Sequence, residues 1–241
     1  MTRHIRRLIV PCFCLACAAP ALANSFSLYY EADGTFPEQE GWSHWTNNPE
    51  AGVERTVEDG VFRLNSMASP DTADLYAVWG SDLMPGPGEF LRVDWRMRVL
   101  QQQDDGAPDW FGDAGMHIAR SYGESAPLNL APDLISALTP GHSGYQVLSL
   151  LEPGAWHAYS FLTDMEHYDL FVDDRLVFHS ALYSGEPNTP APYVSWGDPW
   201  TGAGSESEWD YVQVSIVPEP GATLVAIAGA VLLSRTARKG A

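Results

Sequence analysis

The chain is poor in the residues that cross-link, charge or anchor a protein. Its three cysteines, Cys12, Cys14 and Cys17, fall near one end, and its one lysine, Lys239, falls at the other. Of 13 basic residues, six sit in the termini (Arg3, Arg6, Arg7, Arg235, Arg238, Lys239), which leaves seven arginines for the interior against 31 Asp and Glu overall. A phosphate backbone is gripped by clustered Lys and Arg, so this balance excludes a nucleic-acid partner. Long apolar runs occur only at the ends, and helix signals are few: only Pro132 to Leu138 could make a turn or two. There is no glycine-rich phosphate loop, and Ser143 in Gly141-His142-Ser143-Gly144 falls short of a nucleophile elbow. His44, His117, His142, His157, His167 and His179 show no metal-ligand spacing and read as structural or solvated. What is there is 45% hydrophobic and 12% aromatic, a composition that buries a core despite a formal net charge of −18.

The two ends read as addresses. Residues 1–23 join a basic start to an apolar run from Leu8 to Leu22 and a small-x-small site, Ala21-Leu22-Ala23. That order is a secretory signal peptide cleaved after Ala23, and Pro11 and Pro20 argue against a buried helix in its place. Cleavage removes every cysteine, so the mature chain is expected to have no disulfide, thiol nucleophile or Cys-based metal site. At the other end, Val217-Pro218-Glu219-Pro220 precedes the uncharged run Gly221 to Leu233 and then Arg235, Arg238 and Lys239. As a helix this run would span about 20 Å against roughly 30 Å of bilayer hydrocarbon, which is marginal for a permanent anchor. The basic residues beyond it would stay on the cytoplasmic side. Motif, apolar run and basic tail, in that order, closely resemble the PEP-CTERM sorting signal of Gram-negative bacteria. The resemblance implies that residues 217–241 insert transiently in the membrane and that an exosortase, a membrane-embedded cysteine transpeptidase, cuts near the Pro-Glu-Pro. It also implies export through the inner membrane to the cell surface or the medium, in the company of exopolysaccharide.

Residues 24–216 form one domain with no linker or repeat, and their pattern is mostly period two. In Phe90 to Val99, Leu91, Val93, Trp95, Met97 and Val99 fall on one face and Arg92, Asp94, Arg96 and Arg98 on the other, as in an antiparallel sheet with one buried side. Val53 to Val57 and Val61 to Leu64 flank the turn Glu58-Asp59-Gly60, and Tyr168 to Val172 and Leu176 to Phe178 flank Asp173-Asp174, which gives two hairpins. Trp156 to Leu162 and the closing Trp209 to Ile216, with shorter segments, bring the total to about ten strands and predict an all-β antiparallel jelly-roll sandwich. Tyr29-Tyr30-Glu31-Ala32-Asp33-Gly34, the Phe90 strand, Trp156 to Phe161, Tyr168 to Asp174 and Glu208-Trp209-Asp210-Tyr211-Val212 together resemble the concanavalin A-like lectin/glucanase superfamily, laminin-G-like modules included.

Glycosidases of that superfamily set carboxylates on one strand face, one as nucleophile and one as acid. The nearest counterpart is Glu206-Ser207-Glu208-Trp209-Asp210, but its identities depart from the family's Glu, Asp, Glu and it opens the closing strand rather than a central one. The chain is therefore expected not to be an enzyme. All nine tryptophans lie in the mature domain. Trp95 and Trp156 follow the apolar period, whereas Trp42, Trp45, Trp110, Trp196 and Trp200 sit in turn-rich segments beside Asp, Asn and Gly. Flat rings among hydrogen-bonding groups suit a sugar, and equally suit plugging the ends of a cysteine-free sandwich. Glu31 and Asp33 near the first strand and Asp210 near the last are candidate calcium ligands, because hard oxygen donors favour that ion. The expected function is a secreted or surface carbohydrate-binding or matrix module associated with extracellular polysaccharide. The alternative is a purely structural matrix protein, and less favoured is a glycoside hydrolase.

Overall fold

The computed structural model describes residues 26–103, 114–121, 123–138, 140, 145–149, 152–184, 192–199 and 204–219. The segment expected to be a signal peptide, and all but the first three residues of the expected sorting tail, lie outside them. Two antiparallel eight-stranded sheets face each other. Sheet A runs in the order β13 (Arg175–Ala181), β12 (His167–Val172), β11 (His157–Thr163), β6 (Glu89–Gln102), β16 (Ser205–Pro218), β4 (Val61–Asn65) and β3 (Glu54–Glu58), and β1 (Ser27–Glu31) also pairs with β16. Sheet B runs β10 (Tyr145–Ser149), β9 (Leu134–Leu138), β8 (Glu124–Leu130), β7 (Ala114–Ser121), β15 (Tyr193–Asp198), β5 (Asp74–Trp79) and β2 (Ser43–Thr46), with β14 (Tyr183–Ser184) on β8. This is the expected all-β jelly-roll sandwich.

The alternation read from the sequence of β6 is realised: Leu91, Val93, Trp95 and Met97 are fully buried between the sheets. The core centres on Trp196 of β15. Its ring lies 4.9 Å from Trp209, 5.0 Å from Tyr76, 5.6 Å from both Tyr30 and Trp42, and 5.8 Å from Phe62, all centroid to centroid. Each such ring contact adds about 0.5–1.5 kcal/mol to the burial itself, in a core that has no cysteine among the described residues. A polar link crosses between the sheets: the Ser66 hydroxyl donates to buried Asp198 of β15 and accepts the Ser205 amide at 2.9 Å.

Two departures from the sequence reading concern local structure. The segment expected to be helical is β9, which pairs with both β8 and β10. Its helix-forming Leu and Ala side chains are buried on both faces, and two-sided burial removes the alternation that marks a strand. The domain also runs past residue 216: Val217 pairs with Phe90, Pro218 with Glu89, and the Glu219 amide donates to the Gly88 carbonyl at 2.8 Å. Val217 and Pro218, the first residues of the expected sorting motif, are thus part of sheet A. Pro218 fits there because it closes the strand, where a missing N–H costs least.

Candidate functional site

Register fixes three transverse rows on the outer face of sheet B. The first is Trp79, Tyr193, Ala119, Ser125 and Tyr183. The second is Ser43, Ala77, Ser195, His117 and Pro127, and the third is Trp45, Leu75, Gly197, Gly115, Asn129 and Ser136. The Trp79 and Tyr193 rings lie 4.5 Å apart, tilted by 35°, and Trp79 and Trp45 are each about half exposed (53% and 52%). The Tyr193 hydroxyl sits 3.1 Å from Nδ1 of His117, and the Asn129 amide donates to the Ser136 hydroxyl at 3.4 Å. Burial pushes the His117 imidazole down to about 4, so the ring is neutral at neutral pH. Gly115 leaves room for Pro199, whose Cγ would lie 2.8 Å from a Cβ placed there. Trp79 and Trp45 are the rings of these rows that reach solvent, whereas Tyr193, Asn129 and Ser136 are buried and brace them from within the face, which carries no formal charge among its described residues.

Of the tryptophans proposed for sugar binding, Trp45 stands on this face. Trp42 and Trp196 do not: they are 2% and 0% exposed and stack edge to face at the centre of the core, so they plug the sandwich and offer no ring to a ligand. Trp110, Trp200 and Pro220 lie outside the described residues. Trp156, expected in the core, is half-buried on the outer side of sheet A, where the guanidinium groups of Arg98 and Arg96 lie 5.0 and 5.1 Å from its ring. The site residues missed from sequence are Trp79, Tyr193 and His117. The signal available for them was alternation, Leu75-Ala77-Trp79 and Tyr193-Ser195, but the neighbours Tyr76 and Trp196 carry equally large rings inward.

Two of the three carboxylates expected to bind calcium have partners within the protein. The Asp210 carboxylate is held by Arg96 at 2.7 Å, and Asp33 accepts the Thr35 hydroxyl at 3.1 Å. Among the described residues no group of three or more His, Cys, Asp and Glu side chains is arranged to hold a metal ion. Glu206 and Glu208 share the outer face of sheet A, as the spacing predicts, but they are not a solvated strand start. Arg63 contacts them at 3.0 and 3.4 Å, Arg98 meets Glu208 at 2.7 Å, and Gln101 donates to Glu206. Three of the described histidines also pair with carboxylates: His44 with Asp74, His157 with Asp173 and His179 with Asp169, at 3.0, 2.7 and 2.6 Å.

No protein-family model matches the chain, and no curated protein does. Solved structures share its fold. A glycosyl hydrolase family protein from Mycobacterium fortuitum is 11% identical with a TM-score of 0.49, covering 77% of this chain and 97% of its own. A prokaryotic beta-1,3-1,4-glucanase (lichenase) from a mouse hindgut metagenome is 12% identical with a TM-score of 0.45, covering 78% and 98%. The binding domain of botulinum neurotoxin DC, in a complex with rat synaptotagmin II, is 9% identical with a TM-score of 0.46; the match covers 80% of this chain and 48% of that one. The class defined by the two facing antiparallel sheets is the all-β jelly-roll sandwich, and the likeness to these structures is one of fold. Two of the three are named as a glycosyl hydrolase family protein and a glucanase, and the expectation that the chain is not an enzyme is not upheld.

Proposed function

We propose that this protein is exported, sorted by an exosortase through residues 217–241, and displayed at the cell surface or released. Its sandwich acts there as a carbohydrate-binding module for extracellular polysaccharide. The observation that carries the binding reading is the pair of half-exposed indoles on one sheet face, Trp79 and Trp45, with the buried Tyr193 ring packed 4.5 Å from Trp79 and holding it in place. A half-exposed indole on a sheet face forgoes burial that the fold could have used, and stacking on the C–H face of a sugar supplies it. The ordered motif, apolar run and basic tail support the sorting reading. Residues 24–216 carry 30 acidic residues against seven arginines and no lysine, so an acidic polymer would be repelled and a neutral glycan is the better ligand.

The test is retention of the purified protein on an array of neutral oligosaccharides of glucose, galactose, mannose and xylose. Wild type should bind a subset, and Trp79→Ala should weaken that binding at least about tenfold, the scale of a stacking hot spot, with an unchanged circular dichroism spectrum. Equal binding by the variant would remove this face as the site. No retention of any glycan would leave the structural matrix role.

A further inference from the structure

The outer face of sheet A, opposite the face just described, carries its own transverse row. Five side chains from five different strands stand in register: Phe171 of β12, Ser160 of β11, Asp94 of β6, Gln213 of β16 and Tyr29 of β1. With strands about 4.8 Å apart, the row spans about 19 Å. Its ends are aromatic and its middle is short and polar, so the surface dips between two ring walls. A cavity of about 280 Å³ lies along it, flanked by Tyr211, Arg92 and Asp174. A neighbouring hollow of about 530 Å³ shares Arg92, Ser160, Phe171 and Asp174 and continues to Val217 and Pro218. Tyr29 is 43% exposed, and its ring lies 6.4 Å from that of Tyr211, widening one wall.

The chemistry of the row selects its occupant. Arg92 and Asp94 pair at 2.7 Å, placing donors and an acceptor side by side, and Gln213 and Ser160 add groups of both kinds. Burial, and the charges of Asp94 and Asp210, raise the pKa of Tyr211, so its hydroxyl remains a donor. Arg92 neutralises Asp94 and Arg96 neutralises Asp210, which leaves little net charge along the row for an ion to meet, and Asp174 disfavours an anion. A sheet face presents no free backbone N–H or C=O, so it cannot bind a peptide by strand addition. A chain of neutral rings, apolar on their faces and hydroxylated at their edges, meets every requirement.

We propose that this row is a second carbohydrate site, taking a neutral oligosaccharide segment laid across the strands of sheet A and back to back with the Trp79 face. The proposal rests on the carbohydrate reading of the fold. Two such faces on one domain would let it bridge two polysaccharide chains.

The test is isothermal titration of the purified protein with the neutral oligosaccharides that the array retains, comparing wild type, the Tyr29→Ala/Phe171→Ala double variant, Gln213→Ala and Trp79→Ala. Wild type should bind two equivalents. The double variant should bind one, with Gln213→Ala weakening the same site about tenfold, and Trp79→Ala should remove the other equivalent. All three positions lie on the outer surface, and unchanged melting would confirm intact folding. Two equivalents retained by the double variant, or one equivalent in wild type that only Trp79→Ala removes, would overturn the second site and leave the first standing. No binding by wild type would overturn the carbohydrate reading itself.

Discussion

His117 faces outward from β7, yet burial pushes its imidazole down to about 4, whereas an unfolded histidine titrates at about 6.5. Between those values the unfolded chain takes up a proton that the folded chain refuses. The contribution is therefore complete above about pH 6.5 and is lost as pH falls toward 4, by up to about 3 kcal/mol. His117→Gln keeps a partner for the Tyr193 hydroxyl and removes the titration. Urea unfolding at pH 7 and pH 4.5 should show wild type losing more stability than the variant, and equal losses would refute this. The same scale shows what sequence could tell of the site. Trp42 and Trp45 are three residues apart in one turn-rich stretch, so composition treats them alike. The chain enters β2 between them, however: Trp45 alternates outward with Ser43, while Trp42 precedes the strand and reaches Trp196. Only the position of the strand start separates outer face from core.

Among the elements, β15 is the most constrained. It lies between β5 and β7 with every residue buried, and Gly197 adopts a φ of 127° that L side chains rarely reach. A Cβ there would meet the Asp74 carbonyl at 2.7 Å and the Leu75 Cα at 3.1 Å, both backbone atoms that cannot step aside. Gly197→Ala should cost at least about 2 kcal/mol, read as a lower urea midpoint at unchanged slope. Strands with one wet face, such as β6 and β11, were legible from alternation alone. Elements buried on both faces were not, which is why β9 reads as helical and β8 gives no pattern. The short β2 and β14 contain too few residues for a period to show. The row on sheet A was beyond reach for another reason: Tyr29 and Gln213 are neighbours only because β1 pairs with the last strand, and no local pattern encodes that pairing.

Across the whole molecule, positive charge is concentrated. Arg63, Arg92, Arg96 and Arg98, four of the seven interior arginines, stand on the outer face of sheet A and each meets a carboxylate there. The other three, Arg55, Arg120 and Arg175, are far outnumbered by acids, an excess of negative charge that would keep a displayed domain soluble and clear of anionic lipid. The sorting proposal is tested at this scale. In the source cells, Pro218→Ala combined with Pro220→Ala should leave the protein in the membrane fraction, and normal release would refute the sorting role. The junction with sheet A also has a mechanical meaning. β16 is one of the two longest strands, pairs with β6 over thirteen positions, is flanked on its other side by β4 and β1, and hands the chain over at Pro218. Tension on the chain beyond Glu219, directed along the strand, would slide β16 lengthwise past its neighbours and load those hydrogen bonds together in shear. A strand hung from a sheet edge would instead be peeled away one bond at a time.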